Sequence, residues 1–176
     1  MLYHNKTKIS AMERKELLIK YDVFQSVDEL EAIDRNLLIK AIDAAHNAYA
    51  PYSGFHVGAA ILLDDDKIIT GNNQENAAYP SGLCAERVAL FAASSQYPQA
   101  VMKCIAITAY SNDFVLDTPV SPCGACRQVM SEYEIKQKQP IRVILMGAKG
   151  KIHIVENISG LLPFMFHADE LKQSNK

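Results

Sequence analysis

Apolar positions along this chain follow two different spacings, which predict where it forms helices and where it forms strands. Residues 37–48 follow the three-to-four-residue spacing of a helix, with Leu37, Leu38, Ala41, Ile42, Ala45 and Ala48 on one stripe. Asp34 precedes the stripe and is a candidate helix cap, and Pro51 and Gly54 end the segment. Similar spacing predicts helices over 84–95 and 123–133, the second opened by Pro122, and one or two short helices after Ser159.

Short apolar or alternating runs predict the strands. These runs cover residues 17–24, 55–63, 67–70, 104–110, 142–146 and 151–155, and the first is blurred by Leu18 and Phe24. Asp64, Asp65 and Asp66 form a turn that pairs the second and third runs as a hairpin. Because strands alternate with helices after this hairpin, we expect an α/β fold with a mixed sheet of about five strands covered by helices on both faces.

The pattern of apolar and polar positions divides the chain into two parts of unequal length. Residues 1–33 are predicted to be an N-terminal extension, partly disordered and holding one short strand, and residues 34–176 are predicted to be the functional domain. A chain of 176 residues has enough length for one such domain with a sizeable core.

Charge and composition limit the partners. Lys and Arg number 18 and Asp and Glu 20, so the net charge is -2 and nothing indicates binding to nucleic acid. No apolar run is long enough to span a membrane, and residues 1–16 lack the apolar centre of a secretory signal. We therefore expect a small-molecule partner and a cytoplasmic protein, in which cysteines are reduced.

Three of the four cysteines have the spacing of a metal site. Cys123 and Cys126 are separated by two residues, and Cys84 opens its own predicted helix, where the helix dipole favours a thiolate. Three thiolates leave the fourth position of a tetrahedral Zn²⁺ open for water, so we expect one zinc ion per chain. Cys104 lies within an apolar strand and is expected to be a buried thiol.

Charged residues accompany the three candidate ligands. Glu86 follows Cys84 by two positions, where a carboxylate can move protons between water and a substrate nitrogen. Arg87 and Arg127 adjoin ligands in sequence and can offset the excess negative charge of three thiolates. The simpler alternatives are a redox pair or structural zinc clip for the cysteines, a favourable first-turn acid for Glu86, and solvated charges for both arginines.

Several blocks resemble one enzyme family. Cys84-Ala85-Glu86 followed by Pro122-Cys123-Gly124-Ala125-Cys126 matches the pattern of zinc deaminases acting on cytosine or adenine rings. From about Leu37 to Leu171 the chain is similar to the small homotetrameric cytidine deaminases. The remaining blocks are Ala50-Pro51-Tyr52-Ser53-Gly54-Phe55, Gly71-Asn72-Asn73-Gln74-Glu75-Asn76-Ala77-Ala78-Tyr79-Pro80, Arg127-Gln128 and Leu161-Leu162-Pro163.

The resemblance implies a three-layer sandwich, a homotetramer with shared active sites, and a set of substrate-binding residues. Asn73 and Glu75 match positions that bind the ribose hydroxyls, and Phe55 matches an aromatic residue that packs against the base. Ala85 is a further substrate-binding position. Ala77 and Tyr79 match residues that reach a neighbouring subunit's site, and Phe166 matches an aromatic residue that closes a site of another subunit.

Composition and local pattern alone favour plainer roles for these positions. A turn-rich loop explains Asn73 and Glu75, and the core explains Phe55 and Phe166. The chain also departs from the family, because His56 stands where a proline is usual and Phe164-Met165 replaces a smaller pair.

The resemblance therefore implies hydrolytic deamination of cytidine and deoxycytidine to uridine and deoxyuridine, with release of ammonia, in pyrimidine salvage. Two alternatives are a deaminase of a related nucleoside analogue such as blasticidin S and a non-catalytic structural zinc domain. The Asn73-x-Glu75 pair favours a ribose-containing substrate, and Glu86 beside an open coordination position argues against the structural domain.

Overall fold

The computed structural model describes residues 12–167, which form one six-stranded mixed sheet between two layers of helices. The strands are β1 (Asp22–Phe24), β2 (Phe55–Leu63), β3 (Ile68–Asn72), β4 (Met102–Ser111), β5 (Arg142–Met146) and β6 (Ile152–Val155). The helices are α1 (Ala32–Ala45), α2 (Ala85–Gln96) and α3 (Gly124–Gln137), with 3-10 turns at Val27–Glu29, Tyr79–Ser81 and Ile158–Gly160. The predicted α/β class with helices on both faces is confirmed.

The sheet has the strand order β1-β6-β5-β4-β2-β3. Only β4 and β5 are parallel among the described strands, and α3 connects them. All the other neighbouring strands are antiparallel, including the predicted β2–β3 hairpin. Because α2 precedes β4 and α3 follows it, the N-terminal ends of both helices are brought to one region of the fold.

The sequence predicted about five strands, and the sheet has six because the short β1 pairs with β6 at its edge. Only Asp22–Phe24 of the predicted 17–24 run is a strand. β6 has four residues, so it offers a short edge, and Leu17 and Leu18 before β1 are exposed. Residues 1–11 lie outside the described part of the chain, and the division at residue 33 stays a prediction.

The start of α1 differs from the sequence prediction. Glu31 occupies the N-cap position, and Asp34 lies inside the first turn with its side chain buried. Its two carboxylate oxygens accept hydrogen bonds from the Arg142 guanidinium at 3.2 and 2.9 Å. A bidentate pair with a residue of β5 therefore determines the position of Asp34, a long-range contact that the local pattern could not show.

Alternation along β2 separates two cores. Even-numbered residues such as Ala60 and Leu62 pack with α1 on one face, and odd-numbered residues such as Ala59 and Ile61 pack with α2 and α3 on the other. The polar face of α1 is left to solvent by the same periodicity. The parity of a β2 residue therefore tells which helical layer its side chain faces.

Two glycines in the sheet allow the helices to lie close to it. A Cβ atom at Gly71 would come within 2.5 Å of the Ala89 backbone nitrogen in α2. One at Gly58 would come within 2.0 Å of the Ala41 carbonyl oxygen in α1. Because α2 carries Glu86 and follows Cys84 directly, the contact at Gly71 helps to fix the distance of these two residues from the sheet.

The C-terminal segment differs from the prediction. Ile158–Gly160 forms a single 3-10 turn, and residues 161–167 continue without a helix. Any part of the one or two predicted helices that falls within residues 168–176 lies outside the described region. Within residues 12–167, none of the helices has the length and apolarity needed to cross a membrane.

Candidate active site

The three cysteines singled out by their spacing meet at the ends of two helices. Cys84 is the N-cap of α2, Cys123 is the N-cap of α3, and Cys126 lies in the first turn of α3. The Cys84–Cys123 sulfur distance is 3.9 Å, the Cys123–Cys126 distance is 3.4 Å, and all three sulfurs lie within 4.8 Å of one another. Two helix N-termini therefore direct their positive dipole ends at one cluster of thiols.

This cluster fits a zinc ion. Zn–S bonds of about 2.3 Å in a tetrahedral site place neighbouring sulfurs about 3.8 Å apart, between the two measured distances. Cys104, the remaining cysteine, is buried in the opposite core beside α1 and takes no part. Among residues 12–167 no other Cys, His, Asp or Glu joins the cluster, so the described chain offers three ligand atoms for a metal ion.

Electrostatics favour a thiolate at Cys84. Hydrogen bonds from the Cys126 thiol and from Arg87 lower the pKa of the Cys84 thiol to about 5. Arg87 Nη2 donates to Cys84 Sγ over 3.7 Å. The same cluster raises the pKa of Cys126, because it donates to Cys84 and is buried beside negative charge. Burial is the main cause that raises the pKa of Cys104 to about 12, so this thiol is chemically inert by comparison.

Glu86 lies in the first turn of α2, and only 4% of its surface is exposed. Burial raises the pKa of its carboxyl group, and the negative charge of Cys84 adds to the effect. A buried carboxyl group adjoining the ligand cluster, with its pKa moved towards neutrality, has the properties required of a general acid–base group.

The two predicted charge-tuning arginines have different contacts. Arg87 contacts the ligand cluster directly through Cys84. Arg127 donates instead to the backbone carbonyls of Pro122 at 2.8 Å and Leu161 at 2.7 Å. The guanidinium of Arg127 thus ties the C-terminal segment to the residue before Cys123, and its charge-tuning role stays a prediction.

A cavity of about 460 Å³ adjoins the cysteine cluster. Five predicted site residues line it, namely Asn73, Glu75, Tyr79, Cys84 and Arg87. Tyr52, Ser53 and Leu83 also line it and had no predicted role, although Tyr52 and Ser53 belong to a block that resembles the family. The volume is in the range of small-molecule pockets.

Asn73 and Glu75 are held rigidly in this cavity wall. Asn73 Oδ1 accepts from the Val57 amide at 2.8 Å, and Nδ2 donates to the Phe55 carbonyl at 2.9 Å. Glu75 accepts from the Ser53 hydroxyl and from the amides of Tyr52 and Ser53. The Ser53 hydrogen bond is the main cause that lowers the pKa of Glu75, so its carboxylate is a fixed acceptor. One Nδ2 hydrogen of Asn73 remains for a ligand.

The positions assigned to neighbouring subunits are exposed. Ala77 is exposed, Tyr79 is 77% exposed and Phe166 is 53% exposed. Gln128, for which the sequence predicted no role beyond its place in a family block, binds the Phe166 backbone. Its Nε2 donates to the carbonyl at 2.9 Å and its Oε1 accepts from the amide at 3.3 Å.

Phe55 and Ala85 occupy less exposed places. Phe55 is half-buried, and its parity directs its side chain to the face of α2 and α3, where the cysteines lie. Ala85 is fully buried at the start of α2.

His56 follows Phe55 in β2, so its side chain faces the opposite side of the sheet. It stacks on Tyr110, with ring centroids 4.7 Å apart and an interplanar angle of 5°. It therefore lies on the other face of the sheet from the cysteine cluster.

Comparison with known proteins agrees with this geometry. Residues 31–139 match the family description "Cytidine and deoxycytidylate deaminase zinc-binding region". A cytidine deaminase of Halalkalibacterium halodurans is 44% identical over 140 residues, which cover 79% of this chain and 98% of the relative. A cytidine deaminase of Mycobacterium tuberculosis is 33% identical over 148 residues, covering 82% of this chain and 98% of that protein.

Solved structures show the same similarity. The crystal structure of cytidine deaminase from Burkholderia pseudomallei superposes with a TM-score of 0.65 at 39% identity, covering 74% of this chain and 97% of that chain. The structure of cytidine deaminase from Mycobacterium tuberculosis superposes with a TM-score of 0.60 at 32% identity, covering 78% and 99%.

Proposed function

Because this chain belongs to the cytidine and deoxycytidylate deaminase family, we propose that it hydrolyses cytidine and deoxycytidine to uridine and deoxyuridine with release of ammonia. The reaction depends on zinc and fits a place in pyrimidine salvage. The observation that carries the proposal is the cluster of Cys84, Cys123 and Cys126, with the buried carboxyl group of Glu86 and a nucleoside-sized cavity beside it.

The number of ligands distinguishes a catalytic site from a structural one. Structural zinc sites are usually closed by four protein ligands, whereas catalytic sites keep one position open. The described chain offers three sulfurs and, next to them, a buried acid that is not part of the cluster. This arrangement supports the enzyme over a purely structural zinc domain.

Each residue of the site has a defined task. Zinc, when bound by the three cysteines, supplies the Lewis acidity that makes water a nucleophile near neutral pH. The Glu86 carboxylate would accept one proton from the attacking water and deliver it to the ring nitrogen. It would then take the second proton, from the hydroxyl group now on the ring carbon, and deliver it to the amino group, which leaves as ammonia while the carbonyl forms. The positive charge of Arg87 offsets part of the thiolate charge through its hydrogen bond to Cys84.

Recognition of the sugar is assigned to the rigid wall of the cavity. The Glu75 carboxylate accepts hydrogen bonds from ribose hydroxyl groups, and the free Nδ2 hydrogen of Asn73 donates to one of them. Both side chains are already fixed by the backbone of residues 52–57, so binding does not have to order them. Phe55 packs against the base.

The three ligand thiols must stay reduced to hold zinc, which supports action in the cytoplasm.

A direct assay tests the activity. We expect the zinc-loaded protein to remove the absorbance band of cytosine from free cytidine and deoxycytidine, and a chelator-treated sample to lose this activity. Cytosine within single-stranded oligonucleotides should not react, because the chain has a net charge of -2 and no surplus of cations for the phosphate backbone. Efficient conversion of single-stranded DNA would contradict the nucleoside assignment.

The assembled enzyme is proposed to be a homotetramer that shares its active sites. Tyr79 and Phe166 are largely exposed in a single chain, although the family resemblance implies that they complete the pockets of neighbouring subunits. Phe164 adds a further exposed aromatic ring to the C-terminal segment. Burying these rings against neighbouring subunits would remove apolar surface from water and close the cavity, which supports the assembly.

Mixing two inactive variants tests the shared site. Glu86→Gln removes the proton carrier of a subunit's own site, and Phe166→Ala removes the ring that it gives to another. In tetramers assembled at random from equal amounts of the two variants, about a quarter of the sites contain both native residues, and activity should return to that extent. The measurement is cytidine turnover after dissociation and reassembly. A fully active monomer by light scattering, or no recovery in confirmed mixed tetramers, would contradict the shared site.

A further inference from the structure

The loop between β4 and α3 presents two neighbouring apolar side chains to solvent. Phe114 is 56% exposed and Val115 is 66% exposed, and the chain continues from them through Pro122 to the ligand Cys123. The remaining surface of Phe114 is covered by contacts within the fold, and these contacts indicate its role.

Both ends of this loop are fixed to the body of the fold. On one side, Asn112 Nδ2 lies 3.5 Å from Nε2 of His56. On the other side, the Leu116 carbonyl accepts hydrogen bonds from the amides of Ala148 at 2.8 Å and Lys149 at 3.2 Å. His56, where related enzymes usually have proline, is itself held by its stack on Tyr110.

The tip of the loop contacts Phe55, the aromatic residue proposed to pack against the base. The rings of Phe114 and Phe55 have centroids 6.5 Å apart and an interplanar angle of 29°, within the range of attractive aromatic pairs. Phe55 is half-buried, so a ring packed against it restricts its rotamers from the solvent side. The carboxylate of Asp113, the residue before Phe114, lies close to the backbone of Gly54, the residue before Phe55. A Cβ atom added at Gly54 would be 3.3 Å from Asp113 Oδ2.

From these contacts we infer that Phe114 is a positioning residue for the pyrimidine subsite: it holds the ring of Phe55 in the orientation that packs against the base. This inference rests on the proposed function, because it assigns a partner to a residue of that same site. The anchors at His56 and Leu116 fix the loop before the substrate arrives. Phe114 therefore affects binding of the base, whereas Asn73 and Glu75 are assigned to binding of the sugar.

The position of Phe114 defines which kinetic constant it controls. Phe114 has no part in the proton transfers assigned to Glu86, so removing it should weaken binding and leave the chemical step nearly intact. Cytidine and deoxycytidine carry the same base, so both should be affected equally. A merely structural role would instead lower the melting temperature and reduce kcat together with the fraction of folded enzyme.

The experiment compares Phe114→Ala with Val115→Ala in the zinc-loaded enzyme. We expect Phe114→Ala to raise KM for both nucleosides about three- to tenfold, with kcat within about twofold. The interaction free energy of one aromatic pair corresponds to a change in affinity of about this size. The Ki of the product uridine should rise in parallel, and Phe114→Tyr should restore both constants. Val115→Ala removes a similarly exposed side chain from the same loop and should change neither.

Melting temperature, zinc content and mass in solution are recorded for each variant. An unchanged KM in folded, zinc-loaded Phe114→Ala overturns the inference, as does a rise that Val115→Ala reproduces or one that accompanies loss of assembly. Failure of the proposed function itself is a separate result, since the unaltered protein would then convert neither nucleoside.

Discussion

Glu86→Gln should retain zinc and lose most of its deaminase activity. General acid–base groups contribute about 10²–10⁴-fold to rate, and Glu86 is assigned more than one proton transfer in the cycle. Glutamine has nearly the same shape but neither accepts nor releases a proton at neutral pH. The loss should therefore appear in kcat.

Zinc content and the melting temperature are the controls for this variant. The Glu86 side chain is buried, and its pKa is raised by that burial, so the neutral amide should not destabilise the fold. Both quantities should stay near their original values. Near-normal turnover in a variant that retains its zinc would remove Glu86 from the mechanism.

Replacing a ligand should have a still larger effect. The unaltered protein should carry about one zinc per chain, and Cys126→Ser should lose the metal and reduce turnover to background, because a hydroxyl is a poor substitute for a thiolate. Cys126 is fully buried and 3.4 Å from Cys123, so the defect would lie at the centre of the cluster. The measurements are elemental analysis and cytidine turnover.

Cys104→Ser is the matched control for this substitution. It makes the same chemical change in a buried thiol, but in the core beside α1 on the other face of the sheet. Some stability should be lost there because a hydroxyl is buried in an apolar environment. Zinc content and activity per folded molecule should remain. Active Cys126→Ser protein without stoichiometric metal would contradict the zinc assignment.

The sequence alone predicted the features that depend on neighbouring residues in the chain. The local pattern placed the starts of α2 and α3 to within one residue, with a cysteine immediately before each helix, although α3 continues to Gln137, four residues beyond its predicted end. The spacing of Cys84, Cys123 and Cys126 predicted the metal cluster, since few other functions require thiols in that pattern. Burial of Cys104 followed from its apolar strand.

Long-range contacts explain where the sequence predictions were wrong. Asp34 was predicted to be a cap by its place before an apolar stripe, but its pairing with Arg142, 108 positions later, draws it into the fold. The predicted strand over 17–24 shrank to three residues because pairing requires a partner, and β6 offers only a short edge. Neither partner is visible from the local pattern.

What the sequence by itself determined is the chemistry: three thiols, one acid and one arginine, at spacings that bring them to helix ends. The tertiary structure alone decided the environment of those groups. Glu86 is buried in the folded domain, where α2 lies against the sheet at Gly71, and folding brings Phe114 to Phe55 and Arg127 to Leu161. Ligand types follow from residue identity and local spacing, whereas burial, pKa and the walls of the pocket depend on atoms far apart in the chain, whose positions are fixed by folding of the whole domain.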